Sequence, residues 1–252
     1  MKLSLVFATA ISSVLVAVTT GFGFSSQAHA LTFAGISSGT WGEPTPESTD
    51  TNPVYTGVGN NTFTWGDSNV CPPSANASNG CQITGSNKLN FNGNSFSTGI
   101  DSEFKIGDLS YFNGTVLKGT AVESVPLNIN VSFNPLVGIN EVFDFKLYLV
   151  NTPNNATATP EDNADFVFID TNLSNRIFTF EGNNYTLELT GFNPDVSQKS
   201  VEALEGATTT TAVYARIKTI PESSPVVGLS LLGIYLISRK NFGKRTIKRI
   251  KM

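Results

Sequence analysis

Histidine is all but missing from this chain. The single one in 252 residues, His29, sits in an N-terminal stretch that reads as a removable export signal. A body without imidazole has no Ser-His-Asp triad, no Cys-His dyad and no ordinary histidine-held metal centre. Cysteine is nearly as scarce, with Cys71 and Cys81 alone. Charged residues make up only 14%. Past the N-terminal stretch, no uninterrupted apolar run reaches the roughly 20 residues of a comfortable membrane span. The body from residue 31 to 220 contains no long helical pattern, and no Gly-rich phosphate loop of the expected spacing appears.

The scarce charge is unevenly divided. All 20 acidic residues lie between Glu43 and Glu222. Eight of the 16 basic residues share that stretch, one is Lys2, and seven lie beyond Ile237. Removal of the two ends leaves a body near −12, although the whole chain carries only −4. Such a body repels nucleic acid and anionic lipid, so no nucleic-acid partner is expected.

The N-terminus has the parts of a signal peptide: Met1-Lys2, an apolar stretch from Leu3 to Phe24, and the small-x-small site Ala28-His29-Ala30. Cleavage after Ala30 starts the mature chain at Leu31. A permanent N-terminal helix is the alternative, and no stop-transfer charges follow to support it. In an exported chain the even cysteine count favours a Cys71–Cys81 disulfide. That bridge would close a short loop, worth about 3 kcal/mol in the chain-entropy picture. The other option, a two-ligand metal site, needs further partners.

From residue 31 to 219 the sequence suits one domain made of short alternating runs separated by Gly, Asn, Asp and Pro. In Ser124–Asn134, Val125, Leu127, Ile129, Val131 and Phe133 form one face. Pro126 there marks a strand start or an edge. Glu141–Val150 reads as a more central strand, because Val142, Tyr148 and Val150 make its second face apolar as well. Further strands are expected at Leu31–Ile36, Asn61–Trp65, Lys88–Phe91, Ser102–Ile106, Thr115–Val122, Asp165–Ile169, Arg176–Phe180, Tyr185–Thr190 and Thr211–Lys218. Asn113-Gly114 signals a hairpin, and Gly182-Asn183-Asn184 another. About ten such strands predict an all-β fold: a single antiparallel β-sandwich, jelly-roll-like, with phenylalanine filling its core.

Chemistry is thinly marked. Glu141 with Asp144, and Glu161 with Asp165, are the carboxylate pairs available for glycosidase work. Asn154, Glu161, Asp162, Asn163 and Asp165 form an oxygen-rich loop of the kind calcium prefers, without EF-hand spacing; a plain polar loop is the blander reading. The metal candidates are Asp162, Asn163 and Asp165. No other cofactor is expected. Trp41 and Trp65, with Tyr55 and Tyr111, are candidates for an aromatic surface that meets sugars.

The C-terminus is organised in three parts. Pro221-Glu222-Ser223-Ser224-Pro225 precedes an apolar run, Val226–Ile237, and an acid-free basic tail holding Arg239, Lys240, Lys244, Arg245, Lys248, Arg249 and Lys251. Twelve residues of helix span roughly 18 Å against about 30 Å of hydrocarbon. The basic cluster after the run predicts the body outside and the tail inside. This order resembles the PEP-CTERM sorting signal of exosortase systems, with Ser223 in place of the second proline of Pro-Glu-Pro. The resemblance, over residues 220–252, implies a Gram-negative-type envelope, transient passage through the inner membrane, an exosortase-type partner and delivery to the cell surface or matrix.

The body carries a resemblance of its own. Ser37-Ser38-Gly39-Thr40-Trp41-Gly42, Thr62-Phe63-Thr64-Trp65-Gly66, Ile106–Thr115, Asn151–Asn154, Ala164–Val167 and Tyr185–Phe192 are similar to cyanobacterial choice-of-anchor K domains. That likeness implies an anchored surface protein and no particular reaction. The resulting expectation is a non-enzymatic surface or matrix protein associated with exopolysaccharide. A carbohydrate-binding module or lectin comes second, and a polysaccharide-modifying enzyme third.

Overall fold

A computed structural model describes residues 31–46, 48–70, 84–134, 139–154, 159–171, 173–193 and 198–221. Ala28, Ala30, Cys71, Cys81, Glu222 to Pro225 and the basic tail with Arg239, Lys240, Lys244 and Arg245 lie outside the described residues.

The described chain is all-β, with thirteen strands: β1 (Thr32–Trp41), β2 (Tyr55–Thr56), β3 (Thr62–Trp65), β4 (Asn87–Gly93), β5 (Ser95–Gly99), β6 (Glu103–Phe112), β7 (Ser124–Asn134), β8 (Asn140–Val150), β9 (Asp165–Ile169), β10 (Phe178–Phe180), β11 (Asn183–Gly191), β12 (Ser200–Ala203) and β13 (Thr208–Ile220). They form a β-sandwich of two antiparallel sheets. The first runs β12-β9-β8-β7-β1-β5 and the second β10-β11-β13-β6-β4-β3-β2.

Alternation decides which face of each strand is buried. On β7, Val125, Leu127, Ile129, Val131 and Phe133 all point into the core. Pro126 is the third residue of β7, where the neighbouring β1 has run out at Trp41, so the strand-start reading fits. Aromatic rings gather in two groups. Trp41, Phe63, Trp65 and Tyr111 follow one another at centroid spacings of 6.2, 5.8 and 5.9 Å. Phe33, Phe133, Phe178 and Tyr185 form the second group, with Phe33 5.8 Å from Phe133 and 5.1 Å from Tyr185.

The sheets come closest at β1. The inward face of this strand carries Phe33, Gly35, Ser37, Gly39 and Trp41. A Cβ on Gly39 would sit 2.4 Å from the Phe91 ring, and one on Gly107 of β6 would meet the same ring at 2.4 Å. Phe91 therefore fills a slot that only glycines leave open. Beside it the chain changes sheets in one residue: Asn94 joins β4 in the second sheet to β5 in the first. Such a corner strands backbone polar groups inside the protein. Ser37 satisfies them. Its N–H donates to the Asn94 carbonyl at 2.9 Å, its hydroxyl accepts the Asn94 N–H at 2.9 Å, and the same hydroxyl donates to the Ile106 carbonyl.

Some expectations need correction. Thr115–Val122 is not a strand, and Asn113-Gly114 is not a hairpin turn. Asn113 is fully buried and its side-chain amide donates to the Ala203 carbonyl at 3.0 Å. Gly114 is needed for close approach, since a Cβ there would lie 2.0 Å from the Gly85 carbonyl oxygen. The hairpin between β10 and β11 does form, but its turn residues are Glu181 and Gly182, at φ 49° and 76°. Both angles are positive, as a two-residue type I′ turn requires. Strands β2, β5 and β12 were not expected. The second face of β8 is not covered: Val142, Tyr148 and Val150 are exposed.

The pinch at β1 predicts that Gly39→Ala destabilises the domain by roughly 1–3 kcal/mol through overpacking against Phe91. Adding Phe91→Leu should recover part of that loss, measured as urea unfolding midpoints. If the two losses simply add, the slot account is wrong.

Candidate functional site

Two polar regions stand out, one inside the sandwich and one on its surface. The inner one centres on Asp165, the first residue of β9, which is 4% exposed. Its Oδ1 accepts the Thr152 N–H at 2.6 Å, and the Tyr111 hydroxyl donates to its Oδ2 at 3.5 Å. The Thr152 hydroxyl donates to the Ala164 carbonyl at 2.8 Å. These bonds close the base of the segment between β8 and β9. Asn151 beside Thr152 accepts from the Trp65 indole at 3.4 Å and from the Asn87 amide at 3.3 Å. The network thus ties that segment to the second sheet.

Burial pushes the Asp165 carboxyl up to about 7; the Thr152 N–H works against this and the nearby Glu205 charge adds to it. Burial, with the Asp165 charge behind it, also raises the Tyr111 phenol. Below about pH 7 the protonated Asp165 puts no charge in the interior, and above it the Thr152 N–H and Tyr111 hydroxyl face the carboxylate.

This geometry breaks up the metal set expected from the sequence. Asp165 faces inward to Thr152 and Tyr111. The Asp162 carboxylate accepts from the Thr159 hydroxyl at 2.9 Å and from its N–H at 3.3 Å, shaping a local turn. Asn163 lies in the same turn, with its N–H on the Thr159 carbonyl at 3.3 Å. Among the described residues no three His, Cys, Asp or Glu side chains gather as metal ligands would. The carboxylate pairs fare similarly. Glu141 and Asp144 are three apart on one strand and so leave it on opposite faces. Glu161 is exposed while Asp165 is buried.

The expected aromatic sugar surface is also corrected. Trp41 and Trp65 are each 1% exposed, as is Tyr111. Their rings pack in the core, and the Trp41 indole donates to the Asn61 carbonyl at 2.9 Å. They offer no ring face to a ligand.

The outer face of the first sheet does. Strand β9 has five residues and β8 eleven, and the last β8–β9 partners are Leu147 and Ile169. Beyond that point the first half of β8 has no β9 beside it. The chain leaves at Asp170, whose N–H donates to the Lys146 carbonyl at 3.1 Å, and crosses to the second sheet, where Leu173 bridges to Glu188 of β11. Between β8 and this crossover lies an open groove of about 410 Å³, lined by Asp144, Phe145, Lys146, Asp170, Leu173 and Asn175. That volume lies within the range of small-molecule sites. The Arg176–Glu141 ion pair, 2.5 Å, ties the crossover to β8.

Groove and aromatics are continuous along β8. Asp144, Lys146 and Tyr148 share its outward face, and the Lys146 ammonium lies 4.8 Å from the centre of the Tyr148 ring. Across the ladder Tyr148 faces Phe168, and Val150 faces Phe166. The Phe166 and Phe168 rings are 6.2 Å apart, and both Tyr148 and Phe168 are more than a third exposed. Sequence reasoning missed this strip because apolar residues on both faces of β8 also describe a strand covered on both sides. Asp170 and Asn175 carry no local signal, since only the crossover brings them to β8.

No protein-family model matches the chain, and no curated protein is significantly similar to it.

The buried acid gives a pH prediction. Its protonated form contributes fully below about pH 4, and that contribution is lost as pH rises toward 7. Asp165→Asn keeps an acceptor for Thr152 and removes the titration. Relative to this variant, the natural protein should lose up to roughly 4 kcal/mol between pH 4 and 7, read by urea unfolding at each pH. Parallel profiles would show that Asp165 ionises normally.

Proposed function

We propose that this chain is an exported, non-enzymatic protein of the cell surface or extracellular matrix. Its C-terminal tail sorts it, and its folded domain associates with exopolysaccharide. The observation that carries the second half is the outward strip of Tyr148, Phe168 and Phe166 beside a polar groove. Sugar rings present apolar C–H faces and polar hydroxyl edges. Exposed aromatic faces suit the former, and carboxylate, amide and ammonium groups suit the latter. The outer face of a hydrogen-bonded sheet holds both in fixed register. The tail's three parts, the signal peptide and the acidic body support export, and the resemblance to choice-of-anchor K domains agrees with a surface role. The carboxylate pairs that glycosidase chemistry would use do not converge, since Glu141 and Asp144 leave β8 on opposite faces and Asp165 is buried while Glu161 is exposed, which favours binding over catalysis.

A single fractionation experiment in the native host tests both halves. Compared are the natural protein, a form lacking Arg239–Met252, and the Tyr148→Ala/Phe168→Ala double variant. The tail deletion should alter size or location. The double variant should keep its size and move from the polysaccharide-bearing fraction to the medium. Unchanged location of the tail deletion would defeat the sorting account, and unchanged retention of the double variant would defeat the polysaccharide account.

A further inference from the structure

The groove and strip narrow the kind of polymer that fits, provided the polysaccharide reading above holds. Asp144 stands on one wall of the groove and Asp170 on the other. Glu202 of β12 pairs across the ladder with Phe166, so a third carboxylate borders the far side of the strip. Lys146 is the one cation among the groove-lining residues, and it lies over the Tyr148 ring. Arg176 is joined to Glu141. Among the described residues, a chain laid from groove to strip therefore meets the carboxylates of Asp144, Asp170 and Glu202 and the ammonium of Lys146, with exposed Lys199 next to the strip at the start of β12, on a body near −12. The excess repels polyanions at long range and within the site.

The same groups suit hydroxyls. A carboxylate accepts from two neighbouring hydroxyls, and the Asn175 amide both donates and accepts. From Asp144 to Tyr148 the strand covers about 14 Å at the usual rise per residue, which is the reach of an oligosaccharide rather than a single sugar.

We infer that the ligand of this surface is an uncharged polysaccharide chain: its hydroxyl groups meet Asp144 and Asn175, and the apolar faces of its sugars pack along the strip of Tyr148, Phe168 and Phe166. Uronate-bearing polymers are disfavoured by charge. The tests use the mature exported protein in affinity electrophoresis. Its probes are a neutral glucan, a galactomannan, alginate and polygalacturonate, each with and without millimolar calcium. Binding to at least one neutral polymer is expected, with little change between low and high salt, and none to the polyanions. Asp144→Ala should weaken neutral binding about tenfold, as for a lost charge-assisted hydrogen bond, while Asp144→Asn should weaken it less. Tyr148→Ala should abolish it.

Failure takes two distinguishable forms. Binding to a polyanion that is lost in Tyr148→Ala, with or without calcium, overturns the neutral-chain inference and leaves the polysaccharide reading standing. Binding to none of the four polymers, or binding indifferent to Tyr148, overturns both.

Discussion

Strand β1 belongs to one sheet through its ladder and grips the other through its inward face. Ser37 reaches across to Asn94 and Ile106, and Gly39 leaves the space that the Phe91 ring occupies. Trp41 does the same at the strand's end, its indole on the Asn61 carbonyl. Two sheets with apolar inner faces need only bury those faces to cohere; dispersion and area do not fix how they are offset. Hydrogen bonds and a ring in a glycine slot do. The register of β1 against β7 then places β8, along whose second half β9 pairs.

The surface groove follows from that chain of constraints. Because β9 is short, the crossover after Asp170 has to run beside the first half of β8 before it reaches β11. The gap this leaves is lined from both sides by residues far apart in the chain. The buried network at Asp165 works on the segment before β9. It holds the start of that strand with hydrogen bonds to Thr152 and Tyr111, so both ends of β9 are fixed. The interior acid thus steadies the surface strip while staying out of contact with solvent.

Much of the fold was legible, and the reasons are local. Period-two alternation in Ser124–Asn134 located β7 to the residue, and Gly182-Asn183-Asn184 located the β10–β11 hairpin, whose turn residues are Glu181 and Gly182, within one or two positions. The misses have tertiary causes. Gly114 and Asn113 mimic a turn, but their roles are close packing against Gly85 and a side-chain bond to Ala203. Apolar character on both faces of β8 suggested cover where there is exposure. The site was less legible. Trp41 and Trp65 were conspicuous for their chemistry and turned out to be core. Tyr148 and Phe168 meet only through strand pairing, and Asp170 and Asn175 only through the crossover. The Asp162–Asp165 segment looked ligand-like in sequence, but folding turns Asp165 inward while Asp162 caps its own turn.

On our proposal, the outer face of β8 and β9, with the crossover beside it, meets polysaccharide, while the tryptophan-containing core is structural. Hydrogen exchange of the protein, with and without a neutral polysaccharide, separates the two surfaces. Added protection is expected only on residues 142–150, 166–171 and 173–175, with none on the segments carrying Trp41 and Trp65. Protection centred on β1 and β3 instead, with β8 and β9 unchanged, would contradict it.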